Sequence, residues 1–299
     1  MSVSADPTKL QAVRPSRIDR GKSAPAGLSE LKNSSTVEVL RFLSARPFCT
    51  FGLMGYILDN GIESDLNRGK FHGYRDERGR LEGVALIGRH TLFEARSERA
   101  LSFFAAAAQQ CAAKHLVLGE ENKVDRFWRY YQQAGLRPRR ACRELLMELR
   151  FPITRLEPVP QLRRATLGDL DLIVEVNAEM AREESGINPL EVDPYGFRMR
   201  CTRRVELGRV WVWVEGGRLI FKSDLMSNAP QVAYLEGVWA HPDERGKGYV
   251  TRCLNHLACH LLERDRSICI LVNENKEMAQ RVYLAAGFRF ICYYSAIFL

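Results

Sequence analysis

The chain lacks several features that would assign it to a class at once. No stretch approaches 18 consecutive apolar residues, which argues against a helical membrane span. The N-terminus has no apolar segment of the signal-peptide kind, so secretion is not expected. The eight cysteines are scattered, with no C-x-x-C pair and no metal-ligand spacing. This pattern predicts reduced thiols in the cytoplasm and no disulfide framework or metal site.

Length and charge limit the alternatives further. The 299 residues are 46% apolar and 27% charged, an ordinary globular composition with room for two domains. The net charge of +8 resides in residues 1–150, with 25 Lys and Arg against 17 Asp and Glu, whereas residues 151–299 hold 19 of each. No motif combining aromatic and basic residues accompanies the excess, so a solvated basic surface is favoured over nucleic-acid binding.

Composition divides the chain into four segments. Residues 1–27 are rich in Ser, Pro, Ala, Lys and Arg without hydrophobic periodicity, which predicts a disordered tail. Three prolines within 151–162 indicate a linker. Two folded domains are therefore expected, at 28–150 and 163–299.

The second half has a clear order of elements. Thr166 and Asp169 form a capping-box pattern before an amphipathic helix. A further helix, a hairpin around Glu215-Gly216-Gly217, and strands at 232–240, 268–272 and 291–299 follow. Apolar residues recur at helical spacing between 250 and 262, and a last helix is expected from 274 to 286.

The first half repeats this skeleton. Residues 129–137 match residues 281–289 at an offset of 152, and the preceding helices and strands keep roughly that offset. We interpret the chain as a divergent internal duplication. Each half is expected to be a twisted mixed sheet flanked by helices and closed by its own last strand, at 142–149 and at 291–299.

The most informative segment is the turn Arg245-Gly246-Lys247-Gly248-Tyr249. Its glycines allow successive N–H groups to converge on one point, and the helix that follows directs its positive end there. A diphosphate fits such a site, and Arg245 and Lys247 would add charge. A solvated basic turn is the alternative, which the flanking strand and helix disfavour.

In this order of elements, the second half resembles the GNAT acetyltransferase superfamily. The family turn R/Q-x-x-G-x-G/A corresponds to Arg245-x-x-Gly248-x-Val250, where valine replaces a small residue and is expected to crowd the diphosphate. Asn273 and Tyr283 stand ten apart, as in many members, but Lys276 replaces a second asparagine. The first half resembles the GNAT-like domain of unknown function that precedes the catalytic domain in bacterial tandem proteins.

The resemblance implies an acetyl-coenzyme A site. The implied cofactor-binding residues are Val238, Trp239, Ala240, Arg245, Gly246, Lys247, Gly248, Tyr249, Val250, Thr251, Asn273 and Lys276. In the first half the equivalent turn falls at 92–99, which has no glycine and carries two glutamates, so this half is not expected to bind the cofactor.

Two residues are candidates for the chemistry. Tyr283 would protonate the departing thiolate, although Tyr131 keeps the same spacing where no catalysis is expected. Strand alternation places Glu236 on one face with Val238 and Ala240, where its carboxylate would draw a proton from the amine. The alternatives are a packing tyrosine and a glutamate paired with Lys222.

Two other groups are expected to be structural. His256 and His260 lie one helical turn apart without a third ligand, which is typical of surface histidines. Trp211 and Trp213 share one side of the hairpin, which favours packing over a cage for a cationic substrate.

These observations predict an acetyl-coenzyme A-dependent N-acyltransferase that transfers an acetyl group to an amine by direct attack in a ternary complex. A non-catalytic coenzyme A sensor and an aminoacyl-tRNA-dependent transferase are the alternatives. The sequence leaves open a homodimer and the identity of the acceptor.

Overall fold

A computed structural model describes residues 27–112, 115–132, 135, 137–150, 153–262 and 266–299. The predicted tail lies outside the described residues except for Gly27, which begins the first strand. Over the described residues the strands are Gly27–Glu30 (β1), Gly69–Arg75 (β2), Leu81–Gly88 (β3), His90–Ala95 (β4), Leu116–Glu120 (β5), Arg140–Arg150 (β6), Arg163–Arg164 (β7), Val210–Glu215 (β8), Arg218–Asn228 (β9), Val232–Ala240 (β10), Ser267–Asn273 (β11) and Arg289–Phe298 (β12).

Helices cover both faces of these strands. They are Thr36–Ser44 (α1), Pro47–Asn60 (α2), Glu98–Gln110 (α3), Glu121–Tyr131 (α4), Leu170–Ser185 (α5), Pro189–Val192 (α6), Pro194–Glu206 (α7), Tyr249–Leu261 (α8) and Glu277–Ala285 (α9). Helices α3, α4, α8 and α9 pack on one face, and α1, α2, α5 and α7 pack on the other. None of the helices described is both long and apolar enough to cross a bilayer.

The strands form one mixed sheet in the order β1-β2-β3-β4-β5-β12-β6-β11-β10-β9-β8-β7. Reading inward from either edge gives the same pattern of four antiparallel strands and then one parallel neighbour. The parallel pairs are β4 with β5 and β10 with β11. This symmetry confirms the predicted mixed α/β fold with two similar halves, each a mixed sheet flanked by helices.

The expectation that each half closes its own sheet is wrong. Strand β6 of the first half pairs with β11 of the second, whereas β12 of the second half pairs with β5 of the first. The two exchanged strands also pair with each other, antiparallel from Arg289 opposite Glu148 to Phe298 opposite Arg140. Backbone hydrogen bonding therefore makes the halves interdependent.

Helix α2, which the sequence patterns did not reveal, reinforces this dependence. Its residue Gly55 lies so close to β9 that an added Cβ would meet the Oγ of Ser227 at 2.7 Å. The same Oγ donates a hydrogen bond of 2.8 Å to the carbonyl of Phe51, and the Phe51 ring lies 4.3 Å from that of Tyr234. The first half thus packs directly against the strands that carry the candidate site.

The segment predicted as a linker is also ordered where it is described. Val159 and Leu162 are buried in the core beneath α8. Asn255 on α8 accepts a hydrogen bond from the amide of Leu156 at 2.8 Å and donates one to the carbonyl of Thr154 at 2.8 Å. The connection between the halves is therefore bound along α8.

Strand exchange predicts that neither half folds alone. A fragment of residues 151–299 would leave β11 without its antiparallel neighbour and should show no cooperative thermal unfolding by circular dichroism. Co-expression with residues 1–150 should restore the transition of the intact chain. A monomeric fragment with a cooperative transition would contradict this expectation.

Candidate active site

The glycine turn lies between the end of β10 and the start of α8. A short 3-10 turn, Pro242–Glu244, precedes it, and Gly248 is the N-cap of α8. Gly246 and Gly248 both have φ of +79°, in the left-handed region, and an added Cβ at either would meet nothing within 4 Å. Backbone conformation, rather than lack of space, is what requires glycine here.

The amides of this turn are available to a ligand. Within the described residues, no acceptor of the protein lies within hydrogen-bond distance of the N–H groups of residues 246–251. The amide of Arg245 differs, because it donates to the carbonyl of Pro242 at 3.2 Å. Free amides at a helix N-terminus, together with the helix dipole, favour an anion.

The basic side chains of the turn contribute less than their charge suggests. Lys247 pairs with Glu244 at 2.9 Å, and Glu244 also pairs with Arg218 at 3.3 Å. Arg245 donates from Nε to the carbonyl of Ala240 at 3.2 Å. The local excess of positive charge is therefore small, and the backbone amides dominate the anion site.

The first residues of α8 anchor the turn to the core. The ring of Tyr249 lies 4.9 Å from that of Trp213, and Val250 packs against the cluster beneath α8. Since the Val250 side chain contacts this core, its extra bulk is accommodated there. Thr251 is half-buried in the same helical turn.

The parallel strands beside the turn separate. Strand β10 pairs with β11 only from Val232 to Leu235, which lies opposite Ile270. Beyond that point the β11-facing edge of β10, including Val238, Trp239 and Ala240, has no paired strand in the described chain. The two strands therefore diverge at the middle of the sheet, and we call the gap between them, next to the amide turn, the cleft.

A β-bulge in β10 changes which side chains share a face. The register with β9 shifts between Glu236, opposite Asp224, and Trp239, opposite Lys222, and Gly237 has φ of +62°. Val238 consequently packs with the core under α8, and Trp239 packs with the core under α5 and α7. The prediction that Glu236 and Val238 share one face is wrong, because the extra residue reverses the alternation.

Tyr283 lies at the cleft on the α8 and α9 face. Its side chain is 7% exposed and its ring centroid is 5.9 Å from that of Phe288. Burial raises the pKa of Tyr283, and the charges of Glu184 and Glu144 raise it further. The phenol therefore stays protonated at neutral pH.

Three carboxylates from different elements approach this cleft. Glu144 lies on β6 opposite Asn273 of β11, Glu184 ends α5, and Glu236 precedes the bulge. Burial raises the pKa of all three carboxyls, and it raises that of Glu184 to about 7. The negative charge of Glu236 raises the pKa of Glu144 and of Glu184 further. Glu184 and Glu236 nevertheless keep accessible surface, as expected of groups that line a cleft.

Sequence reasoning found only Glu236 among these carboxylates. Glu144 belongs to the first half and reaches the cleft through strand exchange, so no local pattern indicates it. Glu184 stands at the end of an amphipathic helix, where a surface charge is the ordinary expectation. Arg140 of β6 holds that helix end by donating to the carbonyls of residues 183 and 184, at 2.8 Å each.

Asn273 and Lys276 lie on the carboxylate side of the site. The Oδ1 atom of Asn273 accepts a hydrogen bond from the amide of Asn275 at 3.0 Å, so this side chain caps a turn. The exposed ammonium of Lys276 lowers the pKa of both Glu144 and Glu184. The positive charge of Lys276 therefore acts on the carboxylates.

Lys222 forms its ion pair with Asp224 and not with Glu236. Its ammonium is fully buried, lies 2.8 Å from Oδ1 of Asp224, and donates to the carbonyl of Gly237 at 3.2 Å. Burial raises the pKa of Glu236, and the nearby charges of Arg204 and Lys222, together with a hydrogen bond from Tyr234, lower it in part.

Comparison with known proteins shows a likeness in both sequence and fold. Residues 178–288 match the model of the acetyltransferase (GNAT) family. No curated protein matches the sequence at a significant level.

Solved structures extend the likeness over both halves. A GNAT-family acetyltransferase from Colwellia psychrerythraea is 12% identical, with coverage of 91% of this chain and 99% of that one and a TM-score of 0.54. A Drosophila protein is 13% identical, with coverage of 92% and 98% and a TM-score of 0.67. A tandem GNAT protein from the clavulanic acid biosynthesis pathway is 12% identical, with coverage of 90% and 98% and a TM-score of 0.51. At these identities the likeness shows the fold.

The first half lacks the features that make the GNAT cleft. Only two residues separate β4 from α3, and the side chain of Ser97 accepts a hydrogen bond from the amide of Ala100 at 3.3 Å. Where β4 and β5 separate, the buried carboxylate of Glu94 contacts Lys123 and pairs with Arg46 at 3.3 Å. Part of the predicted turn, Leu92 to Ala95, is strand instead.

The remaining residues of the second half that the sequence singled out have structural roles. His256 accepts a hydrogen bond from the amide of Val159 at 3.0 Å and stacks on His260 at 4.8 Å. Trp211 and Trp213 are buried beneath α8, which agrees with a packing role. The described residues contain no cluster of His, Cys, Asp and Glu suited to a metal ion.

The geometry predicts that backbone amides, more than side-chain charge, determine anion affinity. Gly248→Ala should weaken coenzyme A binding about tenfold in calorimetric titrations, because a left-handed φ costs an L-residue that much. Lys247→Ala should weaken it less, since the exposed lysine is shared with Glu244. Gly135→Ala, with φ of +74° after α4 in the first half and nothing within 4 Å of an added Cβ, is the matched control and should leave affinity unchanged. A larger loss for Lys247→Ala than for Gly248→Ala would contradict the amide model.

Proposed function

We propose that this protein is an acetyl-coenzyme A-dependent N-acyltransferase that works by direct attack of an amine in a ternary complex. The observation that carries the proposal is the turn of unbonded amides at residues 246–251, which lies at the mouth of a cleft between separating parallel strands. The presence of a GNAT-family domain over residues 178–288 supports it. We further propose a cytoplasmic location, which the eight free cysteines support.

The residues at the cleft fit the cosubstrate in two places. The amides of residues 246–251 would bind the diphosphate, and the open edge of β10 at residues 238–240 would pair with the amides of the pantetheine arm. When bound, the thioester supplies an activated acetyl group. Asn273 and Lys276 are assigned to the far side of the cleft, beside the carboxylates, rather than to the diphosphate.

Tyr283 is the proposed general acid. A phenol whose pKa is raised by burial remains protonated and can donate its proton to a departing thiolate. Tyr131, its counterpart in the first half, is fully buried among Phe127 and Trp128. The shared spacing is therefore a property of the fold, and only Tyr283 lies near the carboxylates.

The carboxylates supply the base and select the acceptor. An ammonium must lose a proton before it attacks, and a base whose pKa lies near the working pH is most effective. We propose Glu236 as the proton acceptor, reached directly or through water, with Glu184 next in the relay because its pKa is raised to about 7. The three carboxylates outnumber Lys276 and the net single positive charge of Arg204, Lys222 and Asp224, and so favour a cationic amine over a neutral one.

We propose that the first half does not bind coenzyme A. Its helix α3 begins with a capped amide, and an ion-pair network occupies the place where β4 and β5 separate. Its role is to supply β6, α2 and Glu144 to the other half. This assignment makes one cosubstrate per chain the expected stoichiometry.

The function is tested by release of free thiol from acetyl-coenzyme A with a panel of amines. Diamines and basic peptides should be acetylated faster than neutral amines of similar size, and Glu144→Gln should raise KM for the diamine more than for the neutral amine. Coenzyme A binding without turnover of any amine would instead favour a sensor. Salt-sensitive tRNA binding without coenzyme A binding would favour an aminoacyl-tRNA-dependent enzyme.

The role of Tyr283 is tested by removing its hydroxyl. Tyr283→Phe should lower kcat about 100-fold while leaving coenzyme A affinity unchanged, because general acid catalysis contributes roughly that factor. Tyr131→Phe removes the equivalent hydroxyl from the first half and should leave kcat unchanged. Equal rates for Tyr283→Phe and the unmodified protein would exclude the phenol as the acid.

A further inference from the structure

A group of buried charges lies directly behind the bulge in β10. Lys222 is 0% exposed, and its ammonium lies 2.8 Å from Oδ1 of Asp224, which is 1% exposed. Arg204 of α7 donates to Oδ2 of the same aspartate at 3.1 Å. Burial of an ion pair often costs as much as the attraction returns, so such a pair is weak support for stability.

One hydrogen bond joins these charges to the bulge. The ammonium of Lys222 donates to the carbonyl of Gly237 at 3.2 Å. A Cβ at Gly237 would lie 2.8 Å from that ammonium and 3.3 Å from Oδ2 of Asp224, and φ at Gly237 is +62°. Both the backbone conformation and the close approach of the ion pair therefore require glycine.

The position of the bulge gives this contact its importance. Gly237 comes two residues after Leu235, the last residue of β10 that pairs with β11, and directly after Glu236. A bulge redirects the strand and the side chains that follow it. Its direction therefore determines where the Glu236 carboxylate points and how the open edge at residues 238–240 faces the cleft.

We propose that Lys222 and Asp224 are positioning residues of the active site. The pair holds the carbonyl of Gly237, fixes the bulge, and so keeps Glu236 on the acceptor side and the edge of β10 open to the cosubstrate. The catalytic consequence rests on the proposed function, whereas the fixing of the bulge does not. Catalytic groups are held in place by the residues packed behind them, and activity falls when those residues no longer fix their positions.

Hydrogen exchange of the ligand-free protein tests the structural part. Lys222→Met keeps the length of the side chain and removes the donor to Gly237. Exchange in a peptide spanning residues 232–241 should become about tenfold faster, as expected when a hydrogen bond from a charged group is lost. Gly237→Ala should speed exchange by a similar factor while Lys222 and Asp224 are both still present. If Lys222→Met does not fold, Gly237→Ala alone tests the proposal.

Gly217→Ala provides the matched control for these variants. Gly217 also has a left-handed φ, of +76°, but an added Cβ there meets nothing within 4 Å. This substitution has the same kind of backbone cost without displacing Lys222. Exchange in residues 232–241 should therefore stay as in the unmodified protein.

The catalytic part is tested by separating kcat from cosubstrate affinity. Lys222→Met and Gly237→Ala should lower kcat about 100-fold with coenzyme A affinity within about threefold of normal, since misplacement by about 1 Å costs that much in rate while the amide turn is intact. Gly217→Ala should leave kcat unchanged. A purely stabilising ion pair would lower the melting temperature without changing kcat at a temperature where the protein is folded.

The outcomes are distinguishable from failure of the proposed function. Unchanged exchange in residues 232–241 for both Lys222→Met and Gly237→Ala would overturn the proposal whether or not the protein is an enzyme. Faster exchange with unchanged kcat would overturn the positioning role. A protein that turns over no amine would overturn the proposed function, and the exchange experiment would still decide whether the pair fixes the bulge.

Discussion

The exchange of β6 and β12 at the centre of the sheet is the constraint on which the rest of this structure depends. Each half contributes its last strand to the other, so the parallel pair β10 and β11 gains its next neighbour from the first half. The antiparallel pairing of the exchanged strands makes one sheet out of two repeats. The pairing of β6 with β11 brings Glu144 opposite Asn273, which gives the cleft a carboxylate that the second half alone does not have.

The two halves share one order of elements, but only the second has free amides beside the separating strands. In both halves a parallel pair separates, a helix follows, and a tyrosine stands before a Gly residue. In the second half eight residues join β10 to α8, and the amides of the last three, residues 246–248, are free, whereas two residues join β4 to α3 and a serine caps the helix. Under the proposed function, loop length and the charges near the separating strands would decide which copy binds an anion.

Much of the fold could be predicted from periodicity and turn chemistry. The capping box at Thr166, the hairpin at Gly216 and the apolar face of α8 each depend on residues close together in the sequence. The structure contains all three. Strand exchange could not be predicted, because β6 and β12 are both central antiparallel strands. The residue pattern of each strand would fit the sheet position of the other equally well. Helix α2 escaped detection because it is buried on several sides and contains two glycines, so no single apolar face marks it.

The site was predictable only where it is built from consecutive residues. The glycine turn is such a segment, and its free amides follow from its sequence. The bulge is not, since period-two alternation assumes an unbroken strand and Gly237 alone does not reveal that Lys222 approaches it. The carboxylate group is assembled from β6, α5 and β10, whose proximity depends on the whole topology.

The distribution of charge gives the two ends of the cleft opposite preferences. At one end, amides and a helix N-terminus present positive potential with little help from side chains, because Lys247 is paired with Glu244. At the other end, Glu144, Glu184 and Glu236 present negative potential, and burial raises the pKa of each. An anionic cosubstrate and a cationic acceptor would therefore be drawn to opposite ends. In the proposed reaction the bulge would lie between them, and Lys222, buried with Asp224, would contact neither ligand.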